Sequence, residues 1–115
     1  MSDDLAPAFD KLKAAAAGLP EIEEGTSYGT PSLKVRKKFL CRVKDADTVA
    51  VVCPLEEKEL LMEAAPQFYF ETDHYKGWPV VLVRIQDIAH DELALRLRRA
   101  WLTKAPKTLA KAFER

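Results

Sequence analysis

Histidine, cysteine and glycine are scarce in this sequence, and each scarcity closes off a kind of chemistry. Only His74 and His90 could serve as an imidazole base, and the four glycines, at 18, 25, 29 and 77, are too scattered to cradle a phosphate. There is no Walker A loop, no GxGxxG, no HExxH and no GxSxG. The two cysteines, Cys41 and Cys53, form no CxxC, and a Cys-His metal site would need both histidines as well. A tight turn near Asp45-Ala46-Asp47 sets Cys41 across from Val51 or Ala50. A Cys41–Cys53 bridge would then need an awkward register, so two reduced core thiols are expected. Long apolar runs are missing too: a stretch such as Pro79 to Val83 is strand-sized and far short of a membrane span. The N-terminus opens on Met1-Ser2-Asp3-Asp4 without the basic-then-apolar layout of a secretion signal, which predicts a cytoplasmic protein. The expectation is a non-enzymatic chain with no catalytic residue, no metal, no cofactor and no membrane association.

What remains is the composition of one globular domain. With 115 residues, 48% of them apolar and 31% charged, residues 1–115 suffice for a single hydrophobic core without staples. Leu5, Phe9, Leu12 and Ala16 share one helix face behind a Ser2-Asp3-Asp4 start, which predicts a helix over about 3–17, stopped by Gly18 and Pro20. Residues 20–31 read as a loop around Tyr28, carrying at most a short irregular strand. From Ser32 the period becomes two. Leu33 and Val35 alternate with Lys34 and Arg36, and after an Arg36-Lys37-Lys38 turn Phe39, Cys41 and Val43 alternate with Leu40, Arg42 and Lys44. A third strand spans Thr48 to Cys53. A helix starts at Pro54 with Leu55, Leu61, Met62 and Ala65 facing the core, and ends at Ala65-Pro66. Phe68–Glu71 and Trp78–Ile85 form a hairpin turning at Lys76-Gly77. Glu92–Lys104 is a strong helix, preceded by His90 as part of its capping region and cut by Ala105-Pro106 before a last short helix. The order is α-β3-α-β2-α-α: an α+β domain with an antiparallel sheet of about five strands packed against helices.

Charge is balanced overall but sorted along the chain. Residues 1–33 carry a net −4, 34–44 a net +6, 45–75 a net −7 and 76–115 a net +5. Long-range attraction to nucleic acid is therefore weak, and binding would have to come from a local patch. The densest such patch is the ribbon of Lys34, Arg36, Lys37, Lys38, Arg42 and Lys44, with Lys76 on the second hairpin. Alternation turns Lys34, Arg36, Arg42 and Lys44 to the face opposite the apolar residues, where they either solvate a sheet face or contact phosphates. His74, beside Asp73 and Tyr75, reads first as a solvated hairpin tip. Trp78 would share the outer face with Leu82 and Arg84. Burial under the C-terminal helices is its expected fate, and an open docking patch for a protein partner or stacked bases is the alternative.

The stretches "GLPEIEEGTSYGTPSLKVRKKFLCRV" (18–43), "FETDHYKGWPVVLVRI" (70–85) and "AWLTKAPKTL" (100–109) resemble the MmcQ/YjbR-like family of small bacterial proteins. That resemblance implies a secretion-chaperone-like or frataxin-like α+β fold, and members are described as DNA-binding because their hairpins look like paired wings. The wings here would be the hairpins around Arg36-Lys37-Lys38 and Tyr75-Lys76-Gly77. Three expectations follow: DNA, bound through the basic residues named above; a protein partner or second copy, bound through Trp78, Arg84, His74 and Tyr75; or a small molecule in a cleft between the Tyr28 loop and the His74 turn, for which the sequence specifies no ligand.

Overall fold

A computed structural model describes residues 4–114; the Ser2-Asp3 helix start lies outside them. Asp4 takes over that role, its Oδ1 accepting from the Ala6 N–H at 3.0 Å. The helix α1 spans Ala6–Ala15 with Pro7 in its first turn, where a missing N–H costs nothing. It buries Ala8, Leu12 and Ala15.

Six strands follow rather than five: β1 (Ile22–Ser27), β2 (Thr30–Val35), β3 (Lys38–Asp45), β4 (Thr48–Val52), β5 (Tyr69–Phe70) and β6 (Val80–Arg84). They form one antiparallel sheet in the order β1-β2-β3-β4-β6-β5. The strand expected least is β1. Its Glu23, Glu24 and Gly25 are poor strand formers, but it lies at the sheet edge, where charge is favoured because it discourages edge-to-edge pairing. Helices α3 (His90–Lys104) and α1 cover one face, α2 (Leu55–Ala64) packs at the β5–β6 end, and α4 (Lys107–Glu114) follows Pro106. The core between helices and sheet holds Leu33, Val35, Cys41, Val43, Val49, Val51, Val81, Val83 and Ile85 against Leu12, Leu93, Leu97 and Trp101.

Two turns are tighter than their residues prefer. Arg36 and Lys37 both have positive φ, 48° and 69°, and join β2 to β3 as a two-residue turn of the kind that favours Asn-Gly. Local bonds offset that strain: Arg36 grips Glu21 through both nitrogens, at 2.5 and 2.8 Å, and the Lys37 N–H donates to Glu23 at 3.1 Å. Tyr28, at φ 53°, and Gly29, at φ 79°, close β1 onto β2 in the same way.

A bulge corrects the expected alternation in β3. Leu33 pairs with Cys41, but Lys34 pairs with Phe39, so Leu40 is an extra residue. Leu40 joins the core under the helices, and Phe39 takes the register position across from Lys34. Helix α2 also departs from the expected stripe: Leu55 is 46% exposed, and the one fully buried side chain of this helix is Lys58.

Both cysteines are free and buried, with Cys41 opposite Val51. Burial pushes the Cys41 thiol up to about 12 and the Cys53 thiol up to about 11, the Glu57 charge adding to the latter. An unfolded chain releases these protons from about pH 8.5 upward, whereas the folded chain keeps them. Their contribution to stability is therefore complete below that pH and is lost as pH climbs towards the folded values. Urea midpoints at about pH 7 and about pH 10 should fall with pH in the parent and fall less in Cys41→Ala. An equal fall in both would remove the thiol as the cause.

Candidate functional site on the open sheet face

Strand parity leaves the face away from α1 and α3 to Ser32, Lys34, Phe39, Arg42, Ala50, Leu82 and Arg84. Part of it is roofed by the segment between β5 and β6. That connection is no tight hairpin: a single 3-10 turn, Asp73–Tyr75, folds back over the sheet, and Gly77 at φ 79° reverses the chain before β6. Tyr75 is buried there with Ala50, Val80 and Leu82, while Phe70 packs alongside.

Lys58 holds this segment in place. Only 1% exposed, it reaches from α2 to donate to the Tyr75 carbonyl at 2.8 Å and the Trp78 carbonyl at 2.9 Å, and its ammonium pairs with Glu71 at 3.0 Å. With the backbone pinned on both sides of Gly77, His74 and Trp78 stand out from the surface as a pair. Their rings stack at 5.7 Å and 26°. Tyr28, presented by the strained β1–β2 turn, meets His74 edge-on at 6.1 Å. Tyr28 is 68% and Trp78 47% exposed, so the burial expected for Trp78 does not occur. The C-terminal helices lie on the opposite face, and only Trp101 goes under them.

The basic residues separate into distinct roles. Arg42 is buried: its Nε and Nη2 both donate to Tyr75 Oη, at 3.1 and 2.8 Å, and its Nη1 reaches Thr30 Oγ1 at 3.2 Å. The guanidinium lies 4.9 Å from the Tyr28 ring centre. Arg36 is occupied by Glu21, whose carboxyl it holds below the usual range through the hydrogen bond they share. Lys44 lies 3.8 Å from Asp45, and Arg84 sits 4.2 Å from the Phe70 ring. Lys37, Lys38 and Lys76 are exposed, and Lys34 is half-buried beside Gly25; none of the four has an ion-pair partner among the described residues. Lys58 and Phe39 belong to this site although the sequence offers no motif for them, whereas Tyr28 comes from the loop that the sequence sets facing the His74 turn.

Between Tyr28 and Trp78 lies a hollow of about 260 Å³, lined also by Ser27, Phe39, Tyr75 and Val80. It is below the usual size of a cofactor pocket, and no group of three potential metal ligands occurs among the described residues. The arrangement can stack a flat ring, with the Arg42 guanidinium behind two of its walls.

A family model described as YjbR matches residues 17–103. Uncharacterised proteins of Mycobacterium bovis and of two Mycobacterium tuberculosis strains are 43% identical over 56 residues, 49% of this chain. The match spans 43% of each of those proteins, so the chain accounts for less than half the length of the curated relatives it matches. The crystal structure of the Deinococcus radiodurans protein DR2400, with a DUF419 domain, superposes with a TM-score of 0.72. That superposition covers 92% of this chain and 87% of the other at 20% identity, and it establishes a shared fold.

Proposed function

The chain belongs to the YjbR family, and we propose that this member is a nucleic-acid-binding domain that lays unpaired bases on Tyr28, His74 and Trp78. Phosphates then meet Lys34, Lys37, Lys38 and Lys76. The observation that carries this reading is the run of aromatic rings Tyr28, His74 and Trp78, in which His74 touches both of the others and Tyr28 and Trp78 are exposed, on a face otherwise bare of helices. Aromatic platforms of this kind suit single strands, because every base has a face to stack and none need be read by its edge. The sorting of the cations favours an unpaired strand over a duplex. Arg36 is paired with Glu21 and Arg42 is buried beside Tyr28 and Tyr75, so neither stands on an open ribbon that could enter a groove, and the exposed cations are scattered lysines.

Fluorescence anisotropy with a labelled oligothymidine and with a duplex of equal length tests this. The single strand should bind more tightly, with a slope of log K against log salt of about −3 if four lysines neutralise phosphates. Tyr28→Ala and Trp78→Ala should each weaken binding about tenfold or more, one base's stacking being worth roughly 1–3 kcal/mol. No binding at low salt, or binding indifferent to both substitutions, would overturn the reading.

A protein partner or a second copy of the chain is the other reading, favoured by Trp78, since a half-exposed tryptophan on an open face is a typical interface anchor. Light scattering decides: a dimer that Trp78→Ala dissociates would put that reading in place of the first.

A further inference from the structure

Three cations are buried among the described residues, and one of them lacks a counter-charge. Lys58 has Glu71, and Arg96 has Glu57 at 2.6 Å and Glu92 at 3.7 Å. Arg42, 8% exposed, bonds only to uncharged oxygens: Tyr75 Oη, Thr30 Oγ1 and, at 3.5 Å, the Val43 carbonyl. No carboxylate pairs with it among the described residues. A guanidinium taken out of water is costly unless negative charge reaches it, and the ring faces of Tyr28 and Tyr75, at 4.9 and 5.9 Å, supply only part of that. Directly opposite Arg42 in the β2–β3 register stands Ser32, fully buried, with its Oγ unpartnered. The two tyrosines that flank Arg42 are also walls of the aromatic hollow.

We infer that this hollow is a nucleotide site: one base lies among Tyr28, Trp78 and Phe39, and its phosphate supplies the counter-charge that Arg42 lacks. The chemistry of the walls disfavours two other ligand classes. A cationic ligand in an aromatic cage would add positive charge beside Arg42, and a wholly apolar ligand would leave the guanidinium uncompensated. The volume of about 260 Å³ accepts one ring system, and Arg42 lies behind two of the walls, Tyr28 and Tyr75. The site rests on the nucleic-acid reading only for the source of the nucleotide, which is a residue of a strand or a free monophosphate.

The full chain, titrated with thymidine monophosphate, thymidine and inorganic phosphate while tryptophan emission is followed, tests it. Thymidine monophosphate should quench emission and bind about tenfold more tightly than thymidine, as expected for a charge-assisted contact. Trp78→Phe should abolish the quench. Arg42→Met should bring the two ligands to equal affinity, and Arg42→Lys should keep most of the preference, a ratio that a loss of packing alone does not move. Tyr28→Ala, at an exposed position where folding is not at stake, should weaken both ligands together. Equal affinities in the parent, a phosphate preference that survives Arg42→Met, or inorganic phosphate competing as well as the nucleotide would each overturn the assignment. Oligothymidine binding that the monophosphate fails to compete for would overturn this site and leave the broader reading standing. Monophosphate binding without oligonucleotide binding would do the reverse, and assign the hollow to free nucleotides.

Discussion

Replacing Lys58 by methionine should destabilise the protein by about 3–5 kcal/mol, a large part of the roughly 5–15 kcal/mol that holds a domain of this size together. Methionine keeps the apolar stem, so the loss comes from the ammonium. Without it the Glu71 carboxylate, 27% exposed, loses its partner, and the Tyr75 and Trp78 carbonyls lose the donor between them. Breaking one side of a buried pair is costly because the other side stays behind uncompensated. Urea denaturation should show the fall as a lower midpoint at unchanged slope. Adding Glu71→Gln to Lys58→Met should recover part of the loss, since the stranded charge is then gone while the two carbonyls remain. The same variant should release the backbone that presents His74 and Trp78, so that oligonucleotide binding falls under conditions where the fold is still intact. An unchanged midpoint in Lys58→Met would show that the latch contributes nothing.

Lys58 also marks the limit of what the sequence discloses. In "PLEEKELLMEAA" a lysine flanked by glutamates reads as solvent-facing, and Leu55 reads as a core residue. The structure inverts these two, with Leu55 at 46% exposure, because the groups that satisfy Lys58 are carbonyls 17 and 20 residues further on, which no local pattern encodes. Phe39 was misplaced for a related reason. Alternation fixes a strand's faces only until an extra residue intervenes, and the bulge at Leu40 shows itself in pairing, not in composition. Features that depend on burying a continuous apolar stripe were legible: the α3 face of Leu93, Leu97, Ala100 and Trp101, the inward Val81, Val83 and Ile85, and the reduced thiols.

The sorted charge of the chain acquires a meaning that composition alone did not supply. The acidic block 1–33 meets the basic block that follows it through Glu21 and Arg36. The acidic block 45–75 meets the C-terminal basic block through Glu57, which binds Arg96 at 2.6 Å and Arg99 at 2.5 Å. Much of the segregation is thus spent on joining β1 to the β2–β3 turn and α2 to α3. What is left for a partner is the set of lysines without an ion-pair partner among the described residues, Lys34, Lys37, Lys38 and Lys76, which is why a modest salt slope is expected rather than the steep one that six ribbon cations would give.

Trp101→Ala should cost about 3–5 kcal/mol, the range for removing a fully buried large aromatic. Trp101 is wholly buried where α3 lies against the sheet, and it ties two further pieces of chain to that contact. Its indole N–H donates to the Pro20 carbonyl at 2.9 Å, fastening the stretch that leads into edge strand β1, and its ring meets Phe113 of α4 at 4.9 Å. A loss at the upper end of that range would leave little folded protein, so Trp101→Phe serves as the second variant. It keeps most of the buried area and removes the donor, for an expected loss of about 1–3 kcal/mol from the orphaned carbonyl. It also leaves Trp78 as the sole tryptophan, so emission then reports on the open face alone. Because Trp101 and Trp78 lie on opposite sides of the sheet, Trp101→Phe should lower the urea midpoint and leave ligand quenching of Trp78 unchanged. An unfolding free energy within about 1 kcal/mol of the parent for Trp101→Ala would show that α3 is held by its leucines alone. Loss of quenching in a folded Trp101→Phe would show instead that the two faces of the sheet are coupled.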